Sequence, residues 1–346
     1  MKSAIVVAAS LATGLFVASS AWAQAPEQTN VRFSLDWAFQ GPQAVFTYAA
    51  EKGFFRQEGI NVTLDRGMGS GDTVTRVASG AYDIGFGDIN PMIKFSAENP
   101  GRELTAVYMA YEQAALAVMT LRRTGITTLK QLEGRKLGAP TVDAGRQMFP
   151  ALVQAQKLDA AKIEWVTMNA PLRETMLFRG EVDAITGFIT SGIFSLRALG
   201  AKDEDIVTFR YREFGVDVYS SAVYVTQDYA AKNPRTVAAM VRAINRGIKE
   251  SIANPREAVA SLKSRDQLVD VALEYERMML SMRELVMTPY VMANGMSAVR
   301  EDKLANNIRI VNEAFEVKNS TLTPGRVYTD RFLPPQAERM LPQLGS

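Results

Sequence analysis

Gly80-Ala81-Tyr82-Asp83-Ile84-Gly85-Phe86-Gly87 returns one hundred positions later as Gly180-Glu181-Val182-Asp183-Ala184-Ile185-Thr186-Gly187. Each copy follows a helical pattern and leads into a short apolar strand that ends in glycine. Upstream, the same parts occur twice: a strand (31–35, then 136–139), a polar loop, a helix, and a second strand (60–64, then 163–168). Alternating apolar positions mark the strands, and glycine or proline punctuates the turns. The chain therefore reads as one α/β unit built twice. Two such lobes, each with right-handed βαβ crossovers, enclose a cleft.

With 346 residues and 47% hydrophobic content, the sequence is long enough for two domains, each with its own core. Its 39 basic and 37 acidic residues leave a net charge of +2, and no basic run occurs. Nucleic acid and anionic membrane surfaces are therefore poorly supported as partners. Residues 1–23 read as a signal peptide: Lys2 is the charged start, 5–17 the apolar core, and Ala21 and Ala23 flank the cleavage site. That core is shorter than the roughly 20 residues of a spanning helix. The expected product is periplasmic, soluble and not anchored in the membrane. Cysteine is absent, so neither a disulfide nor a lipid-bearing thiol is available.

The mature chain divides into lobe one (24–112 plus 222–346) and lobe two (113–221). It crosses between them near 111–113 and again near 217–221, and two crossings permit hinge closure around a ligand. From Asp228 onward the pattern is helical, and these helices are expected to cover lobe one. Val237, Met240, Val241, Ile244 and Ile248 share one helix face and read as core.

Histidine is absent as well. A Ser-His-Asp triad, a Cys-His pair, a His-ligated zinc and a CxxC redox site are all excluded. Neither GxGxxG nor GxxxxGK[ST] occurs, so no cofactor, no metal and no catalytic residue is expected. Ligand-facing candidates come instead from loops that follow strands. Trp37, in a loop with Phe39 and Gln40, either stacks on a ligand or packs between helix and sheet. The glycine-rich loop 66–73 carries Ser70 and Gly71 and opens onto a helix start, where backbone N–H groups approach a ligand. Ser70 and Asn90 either cap their helices or donate to the ligand.

Asp36, Asp72, Asp88 and Asp143 could supply paired carboxylates, or could cap helices and shape turns. Asp83 and Asp183, repeated after Gly-x-x, read as turn residues that start a strand. Thr141 or Asp143 is the N-cap of the next helix, whose first turn carries Arg146. A cation there opposes the helix dipole unless an anion is near, either a bound carboxylate, sulfonate or phosphate, or Asp143 itself. Tyr111 and Tyr219 lie at the crossings, and Phe188 ends the repeated strand.

Leu35-Asp36-Trp37, Ala50-Glu51-Lys52-Gly53-Phe54-Phe55-Arg56-Gln57-Glu58-Gly59-Ile60-Asn61-Val62, Gly69-Ser70-Gly71 and Ala78-Ser79-Gly80-Ala81-Tyr82-Asp83-Ile84-Gly85 carry a family resemblance. They resemble the thiamine-pyrimidine-precursor branch of periplasmic solute-binding proteins, relatives of the sulfonate, taurine and nitrate binders of ABC importers. The resemblance implies the type II periplasmic binding protein fold: two α/β lobes with a two-crossing hinge, closing on a small molecule and docking to a permease. Trp37, Ser70, Asp88 and residues 141–146 match the family's ligand-facing loops by position. Pyrimidine-binding members commonly read Asp-Trp-x-Pro-Asn, whereas this chain has Asp36-Trp37-Ala38-Phe39-Gln40. The resemblance therefore does not carry a pyrimidine ligand over. Nor does it carry the activity of eukaryotic relatives that are synthases dependent on histidine and a cysteine-rich motif.

The expected protein is a monomeric, non-enzymatic binder of a heteroaromatic compound or small organic acid, delivering it to an ABC permease. Closure should set Trp37 and the Ser70 loop against Arg146 and Phe188. The alternatives are an exported enzyme using cleft carboxylates and a ligand-sensing domain.

Overall fold

The computed structural model describes residues 25–344. The expected signal peptide, 1–23, lies outside the described residues. Among the described residues ten strands form two five-stranded sheets. In chain order the strands are β1 (Asn30–Ser34), β2 (Asn61–Asp65), β3 (Ile84–Asp88), β4 (Leu104–Met109), β5 (Leu116–Leu121), β6 (Lys136–Ala139), β7 (Glu164–Thr167), β8 (Ala184–Phe188), β9 (Ile206–Arg210) and β10 (Ser221–Thr226). The first sheet has the order β2-β1-β3-β10-β4 and the second β7-β6-β8-β5-β9. In each, three parallel strands are followed by one antiparallel strand, β10 or β5, which the chain supplies by crossing over. This is the two-sheet α/β fold expected from the sequence, the fold of periplasmic binding proteins.

The helices that matter for the cleft are α1 (Ala44–Glu51), α2 (Ser70–Ala78), α3 (Ile89–Glu98), α4 (Ala144–Gln156), α5 (Arg173–Arg179), α6 (Ile189–Ala198), α7 (Pro234–Ala253), α8 (Val271–Ser281) and α9 (Glu301–Ala314). The repeat that opens the sequence has one structural meaning in both copies. Asp83 Oδ2 accepts from the Arg32 N–H at 2.8 Å, and Asp183 Oδ2 accepts from the Lys136 N–H at 2.8 Å. Each aspartate therefore holds the entry of the neighbouring parallel strand. Gly80 and Gly180 reach it through left-handed backbone, φ 75° and 77°, which favours glycine.

Phe33 and Phe46 pack edge to face with ring centroids 5.3 Å apart, and Phe86 packs at a tilt on Phe46 at 4.7 Å, in the core of the first sheet. The α7 face of Val237, Met240, Val241, Ile244 and Ile248 is buried in the same core. The C-terminal helices do more than cover the first sheet, however. α8 packs on α6 and α9 packs on α4, both helices of the second sheet. Helical periodicity shows that a face is apolar but not which neighbour covers it.

The two crossings lie side by side, with Tyr111 N–H donating to the Ser221 carbonyl at 2.9 Å and Ser220 N–H donating to the Tyr111 carbonyl at 3.3 Å. Buried Glu112 pairs there with Lys303 of α9 at 3.1 Å and with Arg300 at 2.8 Å. Among the described residues no helix is long and apolar enough to cross a membrane.

Candidate ligand cleft between the two sheets

A cavity of about 20 Å³ lies between the sheets, lined by Asp36, Trp37, Gly69 and Ser70 from one side and Asp143, Ala144, Arg173 and Phe188 from the other. This is room for about one water molecule. The lining comes from the carboxyl ends of β1, β2, β6, β7 and β8, where open α/β sheets place their ligands. Larger surface clefts lie elsewhere, such as one near Tyr82 and Tyr229, and an open groove of about 750 Å³ runs along the strand ends of both sheets, between Met68 after β2 and residues 140–142 and 167–172 at the ends of β6 and β7.

Trp37 is half-buried, with its carbonyl accepting from the Gly67 N–H at 3.1 Å. Over its ring, 4.7 Å from the centroid, lies the guanidinium of Arg173. Arg173 is 1% exposed. It donates from Nη1 to Asp143 at 2.8 Å and from Nη2 and Nε to Glu174 at 2.6 and 3.0 Å. Burial works against its charge, but Glu174 and Asp143 outweigh that and hold the guanidinium above its usual pKa. Gly187 makes room for this group, because a Cβ there would collide with Nη1.

Asp36 is buried beside Trp37 and accepts from Gln43 Nε2 at 2.9 Å. Desolvation pushes its carboxyl up to about 7. Ser70, at the start of α2, accepts the Asp88 N–H at 3.0 Å. The two walls also touch directly, with Gly71 N–H donating to the Val142 carbonyl at 3.0 Å. Beside the cleft, Glu274 of α8 accepts from the Gly41 N–H at 2.6 Å and pairs with Arg277 at 2.8 Å. Arg277 in turn donates to the carbonyls of Thr190 and Ser191 at 2.9 and 2.8 Å.

Of the residues expected to face a ligand, the cavity brings together Trp37, Ser70, Asp143 and Phe188, with Gly71 on the touching wall. Phe39 packs at the edge of the first core with Arg265 over its ring. Gln40 precedes the helical turn at Gly41 without a side-chain capping bond. Asp88 is the N-cap of α3, buried, with desolvation raising its carboxyl to about 6. Asn90 donates to Asp88 and to the Tyr219 carbonyl, and accepts from Asn307. Tyr111 is buried edge-on against Phe86. Tyr219 accepts the Arg300 N–H at 2.8 Å. Asn90, Tyr111 and Tyr219 thus join the crossings to α9 and the core. Thr141 is exposed and lines the open groove with Met68 and Val142.

Arg146 does not line this cavity. Its guanidinium donates to the Ala139 carbonyl and Thr167 Oγ1 and lies 4.6 Å over the ring of Trp165, away from the cavity. The helix dipole that seemed to demand an anion is answered by Asp143, the N-cap, which accepts the Arg146 N–H at 2.9 Å. Arg173 holds the place across from Trp37 that Arg146 was expected to take. The repeat contained the signal: Arg173 follows β7 as Ser70 follows β2, at the corresponding helix start. Among the described residues no group of three or more acidic side chains could share a metal ion.

Residues 42–258 match the family described as NMT1/THI5 like. The chain belongs to that family. Over 266 residues this NMT1/THI5 like protein is 25% identical to a formylaminopyrimidine-binding protein of Halalkalibacterium halodurans, covering 75% of this chain and 78% of that one. It is 24% identical over 238 residues to a 4-amino-5-hydroxymethyl-2-methylpyrimidine phosphate synthase of Aspergillus parasiticus, covering 66% and 68% of the two chains. Among solved structures, the alkanesulfonate-binding protein of Xanthomonas axonopodis pv. citri bound to MOPS shares the fold. It has a TM-score of 0.65 and 13% identity, covering 92% of this chain and 96% of that one. NMT1/THI5 like relatives thus include proteins named as binders and proteins named as synthases.

Proposed function

We propose that the protein is an extracytoplasmic solute-binding protein, exported by the segment 1–23, that captures a small organic ligand for an ABC importer. In this reading the sheets are the cores of two lobes, 24–112 plus 222–346 and 113–221, which close on the solute. One observation carries it: Trp37 from one sheet and Arg173 from the other face each other across a cavity whose lining both sheets share. The fold and the binding relatives support it.

The rival is an exported enzyme, and the relatives named as synthases keep it in view. Asp36, a buried acid titrating near 7 beside an aromatic face, is the observation that favours it. Of the carboxylates such an enzyme would pair with Asp36, Asp88 and Asp143 are both helix N-caps. The sequence also has no histidine or cysteine to serve as base or nucleophile.

A thermal-shift screen separates the two. A binder is stabilised without turnover by RT ln(1 + [L]/Kd), about 2.7 kcal/mol at a hundredfold excess over Kd. Absence of any shift with heteroaromatic, sulfonate and carboxylate compounds, or consumption of the compound that shifts it, would count against the proposal. Native mass spectrometry of unrefolded protein would identify a retained solute.

A further inference from the structure

Along α8, three arginines each hold two sets of partners, one across the divide between 113–221 and the rest of the chain and one on their own side. Arg277 of α8 donates across to the Thr190 and Ser191 carbonyls at 2.9 and 2.8 Å, and pairs at 2.8 Å with Glu274 on its own helix. Arg197 of α6 pairs across with Glu276 at 2.7 Å and lies 3.5 Å from Asp203 on its own side. Arg210, which ends β9, pairs across with Glu284 and lies 4.0 Å from Glu213 on its own side. Arg212 adds a second contact to Glu284 at 3.5 Å.

Contacts of this kind can part at low cost. Removing one partner of a buried ion pair leaves a costly unpaired charge, but here each of the three guanidiniums keeps a carboxylate on its own side. Glu276 and Glu284 are already partly exposed and return to water. An interface with two discrete sets of partners switches between them instead of deforming.

α9 is built differently. It packs on α4 through an apolar core that includes Ile308 and Val311 with Met148 and Leu152, and it sits on both crossings. Lys303 pairs with Glu112 of the first at 3.1 Å, and Asn307 accepts the Tyr219 N–H of the second at 2.7 Å. The turn after α8 meets only the first crossing, where Glu112 N–H donates to the Leu285 carbonyl at 3.0 Å. Glu276 and Arg277 lie about two helical turns further along the chain from it. Rotation about the crossings therefore leaves α9 near the axis and draws the α8 contacts apart.

We infer that α8 and the turn after it form an ionic clasp, in which Glu276, Arg277 and Glu284 hold 113–221 against the rest of the chain and release it when their charges are screened or removed. This rests on the two-lobe, solute-binding reading above and adds to it a control on opening that needs no solute. Ser191 joins the clasp to the cavity, since its carbonyl accepts from Arg277 and its Oγ lies 3.4 Å from Nη2 of Arg173.

The sequence has no cysteine, so Met68→Cys and Leu172→Cys introduce two spin labels and no others, at exposed positions on the two sides of the open groove. Dipolar broadening of the electron spin resonance spectrum then reports how close the lobes are. The labelled full-length chain is compared, without added solute, at about 0.01 M and about 1 M KCl, where the screening length falls from about 30 to about 3 Å. A second chain also carries Glu276→Gln and Glu284→Gln, which leave the buried pair of Glu274 and Arg277 intact, and circular dichroism checks its fold. Broadening is expected at low salt, with the unbroadened fraction rising about threefold or more at high salt. In the substituted chain that fraction should be raised at both salt concentrations and respond little to salt.

A salt response that survives unchanged in the substituted chain would place the controlling charges elsewhere. An unbroadened spectrum under all four conditions would mean lobes that stand apart with no clasp. Either result overturns the inference and leaves the solute-binding reading in place. Equal broadening under all four conditions would make the two sheets one rigid body, and the inference and the two-lobe reading would fail together.

Discussion

The N–H of Gly71 donates across the cleft to the carbonyl of Val142 at 3.0 Å, joining the start of α2 to the loop before α4. This contact is close because glycines line one side of it. A Cβ on Gly69, whose φ is 146°, would lie 2.5 Å from the same Val142 oxygen. Backbone strain and a backbone clash cost of order 1–3 kcal/mol. Gly69→Ala should therefore weaken ligand binding by about tenfold or more. Gly71→Ala meets only the flexible amide of Gln147 and should do less harm. Equal affinities for the two variants in calorimetry would show that the wall contact does not matter for closure.

Arg146 provides the complementary test. Its bonds to Ala139 and Thr167 and its stacking on Trp165 are remote from the cavity. Arg146→Ala should cost about 1 kcal/mol of stability and change ligand affinity by less than about twofold, an amount worth under 0.5 kcal/mol. Chemical unfolding and a ligand titration on the same variant measure both. A large loss of affinity with little loss of stability would return Arg146 to the site.

Asp36 makes stability depend on pH. Its carboxyl titrates near 7 in the folded chain, against an ordinary value of 3.8, so the folded state holds a proton that the unfolded state releases. That stability is fully present below about pH 4 and is lost as pH rises through 7, on the order of a few kcal/mol. Asp88, raised to about 6, acts in the same direction over a narrower window. Melting temperature should fall between pH 5 and 8, and Asp36→Asn should flatten the upper part of that fall. A parent and variant with parallel pH profiles would contradict the buried-acid account.

The pair Glu274 and Arg277 ties Gly41 on one side of the cleft to Thr190 and Ser191 on the other. Arg277→Met removes one member of a buried ion pair and should destabilise the chain by about 3 kcal/mol or more. Adding Glu274→Gln should recover part of that loss, since no unpaired charge is then left buried. Urea unfolding of both single variants and the double variant gives the coupling; simple additivity would mean that the pair does not act as a unit.

Much of the architecture was legible because it is written in local rules. Strand alternation, the left-handed glycines at 80 and 180, and the aspartates that bind the adjoining strand's N–H act within a few residues or one strand pairing. They repeat wherever the same unit is built. The loops at Trp37, Ser70 and Asp143 were also legible, since a loop after a parallel strand in an α/β sheet opens on the cleft. The reach of α8 and α9 to the second sheet was not, because periodicity marks an apolar face without naming what covers it.

The sequence by itself determined that one α/β unit occurs twice, that the chain crosses twice between the copies, and that no histidine or cysteine chemistry is available. Only the tertiary structure decided which arginine faces Trp37. In the sequence, Arg146 and Arg173 are both cations in the first turn of a helix, and that local pattern does not tell them apart. Their difference lies in distant partners: Asp143 is 30 positions from Arg173 and Ser191 is 18 away, with Trp37 across the cleft. The free energy of a buried charge is set by such neighbours and by the water they exclude, and neither is local along the chain.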